Sequence, residues 1–166
     1  MNDSYVEWMV KRKPNPYLKC LKYTAIMLTG FSVLLGIVTY NAIFLLVAVA
    51  IGVAIYFINL NVEIEYDYLY VDRQLSIDKV LNKTRRKRVA TYDLDRMEIL
   101  APLNSHRLDG HKNREVKLID YSSGLELKPD VRYALFIDGK TKVIFEPSPE
   151  MVKAITMIAP RKVFKE

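Results

Sequence analysis

From Tyr23 to Val62 the chain runs 40 residues without a Lys, Arg, Asp, Glu or His, and the polar pair Tyr40-Asn41 lies near the middle of that run. A helix that crosses a hydrocarbon core of about 30 Å needs about 20 apolar residues, so one helix over the whole stretch would be about twice too long. Two helices of about 18 residues each, Tyr23 to Tyr40 and Ala42 to Asn59, fit that thickness. The sequence therefore predicts a membrane protein in three parts: a juxtamembrane segment over 1–22, a transmembrane hairpin over 23–60 (helices 23–40 and 42–59), and a soluble domain over 61–166.

Orientation follows from charge. Lys11, Arg12, Lys13, Lys19 and Lys22 precede the hairpin against only Asp3 and Glu7, and the turn between the spans is uncharged. Basic residues in short flanks stay in the cytoplasm. An even number of spans then returns the C-terminal part to the same side, which predicts a multi-pass protein of the bacterial cell membrane with both termini cytoplasmic. A cleaved signal peptide would have an apolar core of about 7–15 residues with no second span directly behind it. The single cysteine, Cys20, excludes an intramolecular disulfide and agrees with a reducing compartment.

Small residues let helix backbones approach where lipid removes the hydrophobic drive. Ser32 to Gly36 and Ala48 to Gly52 have the small-xxx-small spacing, which predicts helix packing either within or between chains. Neither span carries an ionisable group of the kind that marks a proton or ion path. Ahead of the spans, Tyr5, Val6, Trp8, Met9 and Val10 lead into the basic cluster. This segment is suited either to the membrane interface or to packing against the soluble domain.

The roughly 106 residues after Leu60 are enough for one core. Val62, Ile64, Tyr66, Tyr68 and Tyr70 alternate with Glu63, Glu65, Asp67, Leu69 and Val71, the period of a strand. Six further strands are expected over Leu75 to Leu81, Arg88 to Leu94, Glu98 to Leu103, Glu115 to Tyr121, Val131 to Asp138 and Lys142 to Glu146. Asp138-Gly139 signals a tight hairpin, and Ser123-Gly124 gives a weaker turn signal. Ser148-Pro149-Glu150 then reads as a helix start, with Met151, Ile155 and Ile158 at helical spacing and Pro160 as the stop.

Seven short strands and a C-terminal amphipathic helix, with the run EYDYLYVDRQLSIDKVL from Glu65 to Leu81 at the front, resemble the bacterial pleckstrin-homology-like (PH-like) membrane proteins, in a family expected from Gram-positive bacteria. The resemblance implies a mainly-β PH-like barrel behind the transmembrane hairpin, and a scaffold or oligomerising module. Eukaryotic PH domains commonly bind inositol phosphates through basic residues at the first strand-to-strand loop. Here that loop reads Val71-Asp72-Arg73-Gln74, so this ligand does not carry over.

If the first strand leads away from the bilayer, the second returns, and the loop after it faces the membrane. That loop holds Lys83, Arg85, Arg86, Lys87 and Arg88. By the same count the loop with His106, Arg107, His111, Lys112 and Arg114 faces that side, as does the segment with Lys11, Arg12 and Lys13. These basic residues are the candidate contacts with anionic lipid headgroups, each contributing about 1 kcal/mol when close to the surface.

Other functions have weaker support. His106, Asp109 and His111 are metal-ligand types on a polar loop without a fourth ligand, so no metal or cofactor is expected. Ser105, Ser122 and Ser123 lie outside any nucleophile elbow, and there is no Gly-rich phosphate loop, so no enzyme is expected. The net charge of +6 invites a nucleic-acid reading. The five basic and two acidic residues before Val62, taken from totals of 25 and 19, leave a near-balanced 20 and 17 after it. The expectation is a non-enzymatic binding or scaffolding module that meets the inner leaflet, a protein partner or a second copy. The alternatives are an accessory subunit of a larger membrane complex and a membrane-tethered nucleic-acid binder.

Overall fold

A computed structural model of the chain describes residues 5–111, 114–125 and 131–165. The chain forms two compact units, one of Pro14–Ile64 with Leu81–Arg85 and the other of Met1–Lys13, Glu65–Val80 and Arg86–Glu166.

The first unit is a helical hairpin. Helix α1 (Pro16–Thr39) starts earlier than the charge pattern suggests, because Asn15 accepts a hydrogen bond from the Tyr17 N–H and Pro16 occupies the first turn. It ends at Tyr40, whose left-handed φ of 51° lets its N–H reach the Gly36 carbonyl. Asn41 then caps helix α2 (Ala42–Val62) by accepting from the Ile43 N–H. With 24 and 21 residues the two helices are long and apolar enough to cross a membrane. Only 11% of each apolar window is buried within the protein, whereas a core helix of a soluble protein would be mostly covered. Residues such as Met27, Phe31, Leu34, Leu46 and Phe57 project outward.

Inside the hairpin the small residues meet. Ser32, Gly36 and Ala48 are buried, and a Cβ on Gly36 would lie 2.9 Å from the Leu45 Cδ2. The Ser32-xxx-Gly36 motif thus packs the two helices of one chain on each other, whereas Gly30 and Gly52 face open space.

The second unit is built from two open sheets. The first has the order β1 (Val6–Lys11), β2 (Ile64–Val71), β3 (Gln74–Leu81) and β4 (Arg85–Asp93), and the second has the order β5 (Met97–Pro102), β7 (Tyr133–Ile137), β8 (Thr141–Phe145) and β6 (Lys117–Asp120). This corrects the expected seven-stranded closed barrel. The described residues form eight strands, because the N-terminal segment pairs antiparallel with β2 from Val6↔Tyr70 to Lys11↔Glu65. Closure fails because β4 and β5 are edge strands of different sheets. The Leu94–Arg96 turn leads the chain from one to the other, and the Leu94 N–H is held by the Arg73 carbonyl. The second sheet also departs from a simple meander, since β6 joins β8 in parallel.

Strand alternation places Tyr66, Tyr68 and Tyr70 on the core face, where all three are buried. Tyr68 packs edge-on against Phe145 and donates its hydroxyl hydrogen to the Tyr121 carbonyl at 2.8 Å. Burial pushes this phenol far above its ordinary pKa, so it stays a neutral donor. Tight turns at Asp72-Arg73 and Asn82-Lys83 place both residues at positive φ, as Asp138 and Gly139 do between β7 and β8. Helix α3 (Pro149–Ile158) is capped by Ser148, whose Oγ accepts from the Met151 N–H, and it buries Met151 and Ile155. Beyond Pro160 the chain lies along β5, with Leu100 bonded to the backbone of Lys162 and Phe164.

The close approach at Gly36 is directly testable. Gly36→Ile should lower stability in detergent by about 1–3 kcal/mol through overpacking, while Gly52→Ile leaves the melting temperature unchanged. Equal losses in the two variants would contradict this helix pairing.

Candidate membrane interface

The hairpin unit carries its charge at one end. The two-residue connection at Tyr40-Asn41 brings the start of α1 and the end of α2 together at the opposite end, where Tyr17, Lys19, Lys22 and Tyr23 on α1 join Tyr56 on α2. Tyr17, Tyr23 and Tyr56 are exposed amphipathic rings of the kind that gather at headgroup depth.

The β3–β4 turn belongs to this unit. The Asn82 N–H donates to the Glu63 carbonyl, one residue beyond α2, at 2.8 Å. Arg85 donates to the Tyr56 hydroxyl at 3.4 Å, and Thr84 closes the turn through its N–H and hydroxyl to the Leu81 carbonyl. Lys83 stands at φ 57°, exposed and without an ion pair among the described residues. Lys83 and Arg85 thus sit beyond the C-terminal end of α2, where the helix dipole favours cations. Glu63 is the acidic residue within the same end.

The other candidate residues divide sharply by type. Arg86 forms an ion pair with Asp67, lies 3.2 Å from Glu7 and is within 3.8 Å of Asp78. The Arg88 Nε donates to Asp78 at 3.1 Å. Arg114 donates to Glu98 at 2.9 Å, Arg12 donates to the Tyr66 hydroxyl at 2.8 Å, and Arg107 stacks over Phe164 at 5.1 Å. These arginines are engaged within the domain. Lys87 is exposed and has no ion pair among the described residues. Lys13 uses its backbone N–H on the Ser123 carbonyl and leaves its side chain exposed. Lys11 ends β1 opposite Glu65, and Lys112 lies outside the described residues.

Sequence reasoning missed the acids that claim the arginines. Asp67 is only 2% exposed, and its Oδ1 has no hydrogen-bond partner, so the Arg86 pair is what compensates its charge. The signal was present in the alternation of Glu65 and Asp67 on β2, with Asp78 on β3 and with Arg86 and Arg88 two apart on β4. Tyr56 was also missed, because inside an apolar span it reads as one more bulky side chain.

The expected metal-ligand types do not converge. His106 lies 3.6 Å from Asp109, while His111 sits 3.7 Å from Glu98 and against the Phe136 ring. Among the described residues no group of three His, Cys, Asp or Glu side chains could hold a metal ion.

The model of one family, described as "Bacterial PH-like domain (DUF6106)", matches residues 2–165. No curated protein and no solved structure matches the chain.

The division between structural arginines and solvent-facing lysines predicts unequal responses to truncation. Arg86→Ala should cost about 2 kcal/mol, because it leaves the Asp67 carboxylate buried and unpaired, reduced from a fully buried pair by the half-exposed guanidinium. Lys87→Ala should stay within about 0.5 kcal/mol of the parent. Denaturant unfolding of the detergent-solubilised protein measures both, and similar losses would contradict the division.

Proposed function

This chain belongs to the bacterial PH-like domain family, and on that premise we propose that it is a membrane-anchored, non-enzymatic binding or scaffolding module of the bacterial cell membrane. In this reading α1 and α2 span the bilayer, both chain ends face the cytoplasm, and Lys83 and Arg85, with Lys19 and Lys22, meet the anionic phosphates of the inner leaflet. The observation that carries it is the hydrogen bond from the Asn82 N–H to the Glu63 carbonyl, which fixes a basic turn to the exit of the second apolar helix. Each basic residue near such a surface contributes about 1 kcal/mol. The arginines already paired within the domain contribute less, since an engaged guanidinium must give up its partner first.

Binding rather than catalysis is supported by how the serines are used. Ser123 donates both its N–H and its Oγ hydrogen to Glu146, and the Ser122 N–H donates to Asp120, so these groups hold a loop closed. A scaffold needs a protein partner or a second copy, and as an accessory subunit of a larger membrane complex the chain would use the same surfaces.

Native mass spectrometry of the full chain released from mixed phosphatidylglycerol and phosphatidylcholine nanodiscs tests the lipid contact. The parent should retain phosphatidylglycerol preferentially, and Lys83→Glu with Arg85→Glu should reduce that preference severalfold at low salt. An unchanged preference in the double variant refutes the assignment. Membrane association that disappears on nuclease treatment would favour a tethered nucleic-acid binder instead.

A further inference from the structure

We propose that a groove between the start of β7 and the first turns of α3 docks an acidic peptide segment of a partner protein, which inserts one apolar side chain. The proposal rests on the reading of the chain as a binding module, and is independent of its contact with anionic lipid.

The groove has a volume of about 280 Å³ and is lined by Val131, Tyr133, Pro147, Pro149, Val152, Lys153 and Lys165. That is just below the range of about 300–1,000 Å³ typical of small-molecule sites, and suits one large side chain. The walls are apolar: Pro147 and Val152 are buried, and Pro149 and Val131 form the sides. Tyr133 is partly buried, and its phenol stays neutral because burial raises its pKa. Its hydroxyl is therefore a hydrogen-bonding group at the wall and carries no charge.

The rim decides the chemistry of the occupant. Lys153 and Lys165 are exposed and, among the described residues, form no ion pair and share the groove lining with no carboxylate. Glu150 in the first turn of the ten-residue α3 offsets the partial positive charge of that helix end, so the charge of the rim comes from Lys153 and Lys165. An apolar anchor flanked by Asp or Glu satisfies both the walls and the rim, whereas a basic or purely polar segment satisfies neither.

Fluorescence anisotropy with the full chain in phosphatidylcholine nanodiscs tests this, because neutral lipid removes the anionic-surface contribution. The probes are fluorescein-labelled twelve-residue peptides with one central Leu between Asp and Glu residues, the same peptide with Leu replaced by Ser, and a version with Lys in place of the acids. The acidic Leu peptide should bind best. Lys153→Glu with Lys165→Glu, both on the surface and leaving the melting temperature unchanged, should weaken it about fivefold to tenfold and improve binding of the Lys peptide. Failure of the acidic Leu peptide to bind, equal binding of its Ser counterpart, or indifference to the double charge reversal would each overturn the proposal. So would displacement of the peptide by anionic vesicles with loss of the Leu dependence, which would identify the rim as a lipid contact.

Discussion

The pairing of β1 with β2 is the constraint on which the rest of the fold depends. The two strands are neighbours in one sheet, in register from Val6↔Tyr70 to Lys11↔Glu65, yet the whole helical hairpin is inserted between them. Backbone hydrogen bonds form only between strands in the same compartment. In the proposed insertion, α1 must therefore enter and α2 must leave through the same face of the bilayer. An even number of spans requires the same of that insertion, and the pairing of β1 with β2 agrees with it. The contact between the Arg12 guanidinium and the Tyr66 hydroxyl, 54 positions apart, strengthens the closure of that insertion.

A second consequence concerns charge. β2 buries one row of aromatic side chains toward the second sheet and a row of acids on its other face. A buried carboxylate is tolerable only with a partner, and the arginines of β4 serve that need. Arg is suited to it because its planar guanidinium serves several carboxylate oxygens at once, as Arg86 does among Asp67, Glu7 and Asp78. The run from Lys83 to Arg88 is thus two different things. Its first part is a turn attached to the exit of α2, and its alternate arginines are internal counter-ions of the sheet.

Much of the fold was legible because it rests on local rules. The uncharged stretch and its break at Tyr40-Asn41, the alternation from Val62 to Val71, Asp138-Gly139, and Ser148-Pro149 each encode a helix, strand, turn or cap within a few residues. The non-local features were not legible. Val6–Lys11 is too short and too mixed in character to declare itself a strand, and only its partner 54 or more positions away makes it one. Barrel closure depends on whether β4 and β5 pair across a turn, which no local pattern states. The candidate interface was legible as a basic run, but a sequence does not reveal which cations are already neutralised, and this required the register of β2, β3 and β4.

The central claim is that the hairpin crosses the membrane twice while its two flanks remain together in one sheet. Single cysteines placed in a Cys20→Ser background at Lys13, Tyr40 and Lys117, probed in intact cells with a membrane-impermeant maleimide, test it most directly. Only Tyr40→Cys should react from outside, with Lys13→Cys and Lys117→Cys reacting after permeabilisation. Reaction of Lys13→Cys and Lys117→Cys from opposite sides, or protection of Tyr40→Cys from the outer reagent, would contradict the account.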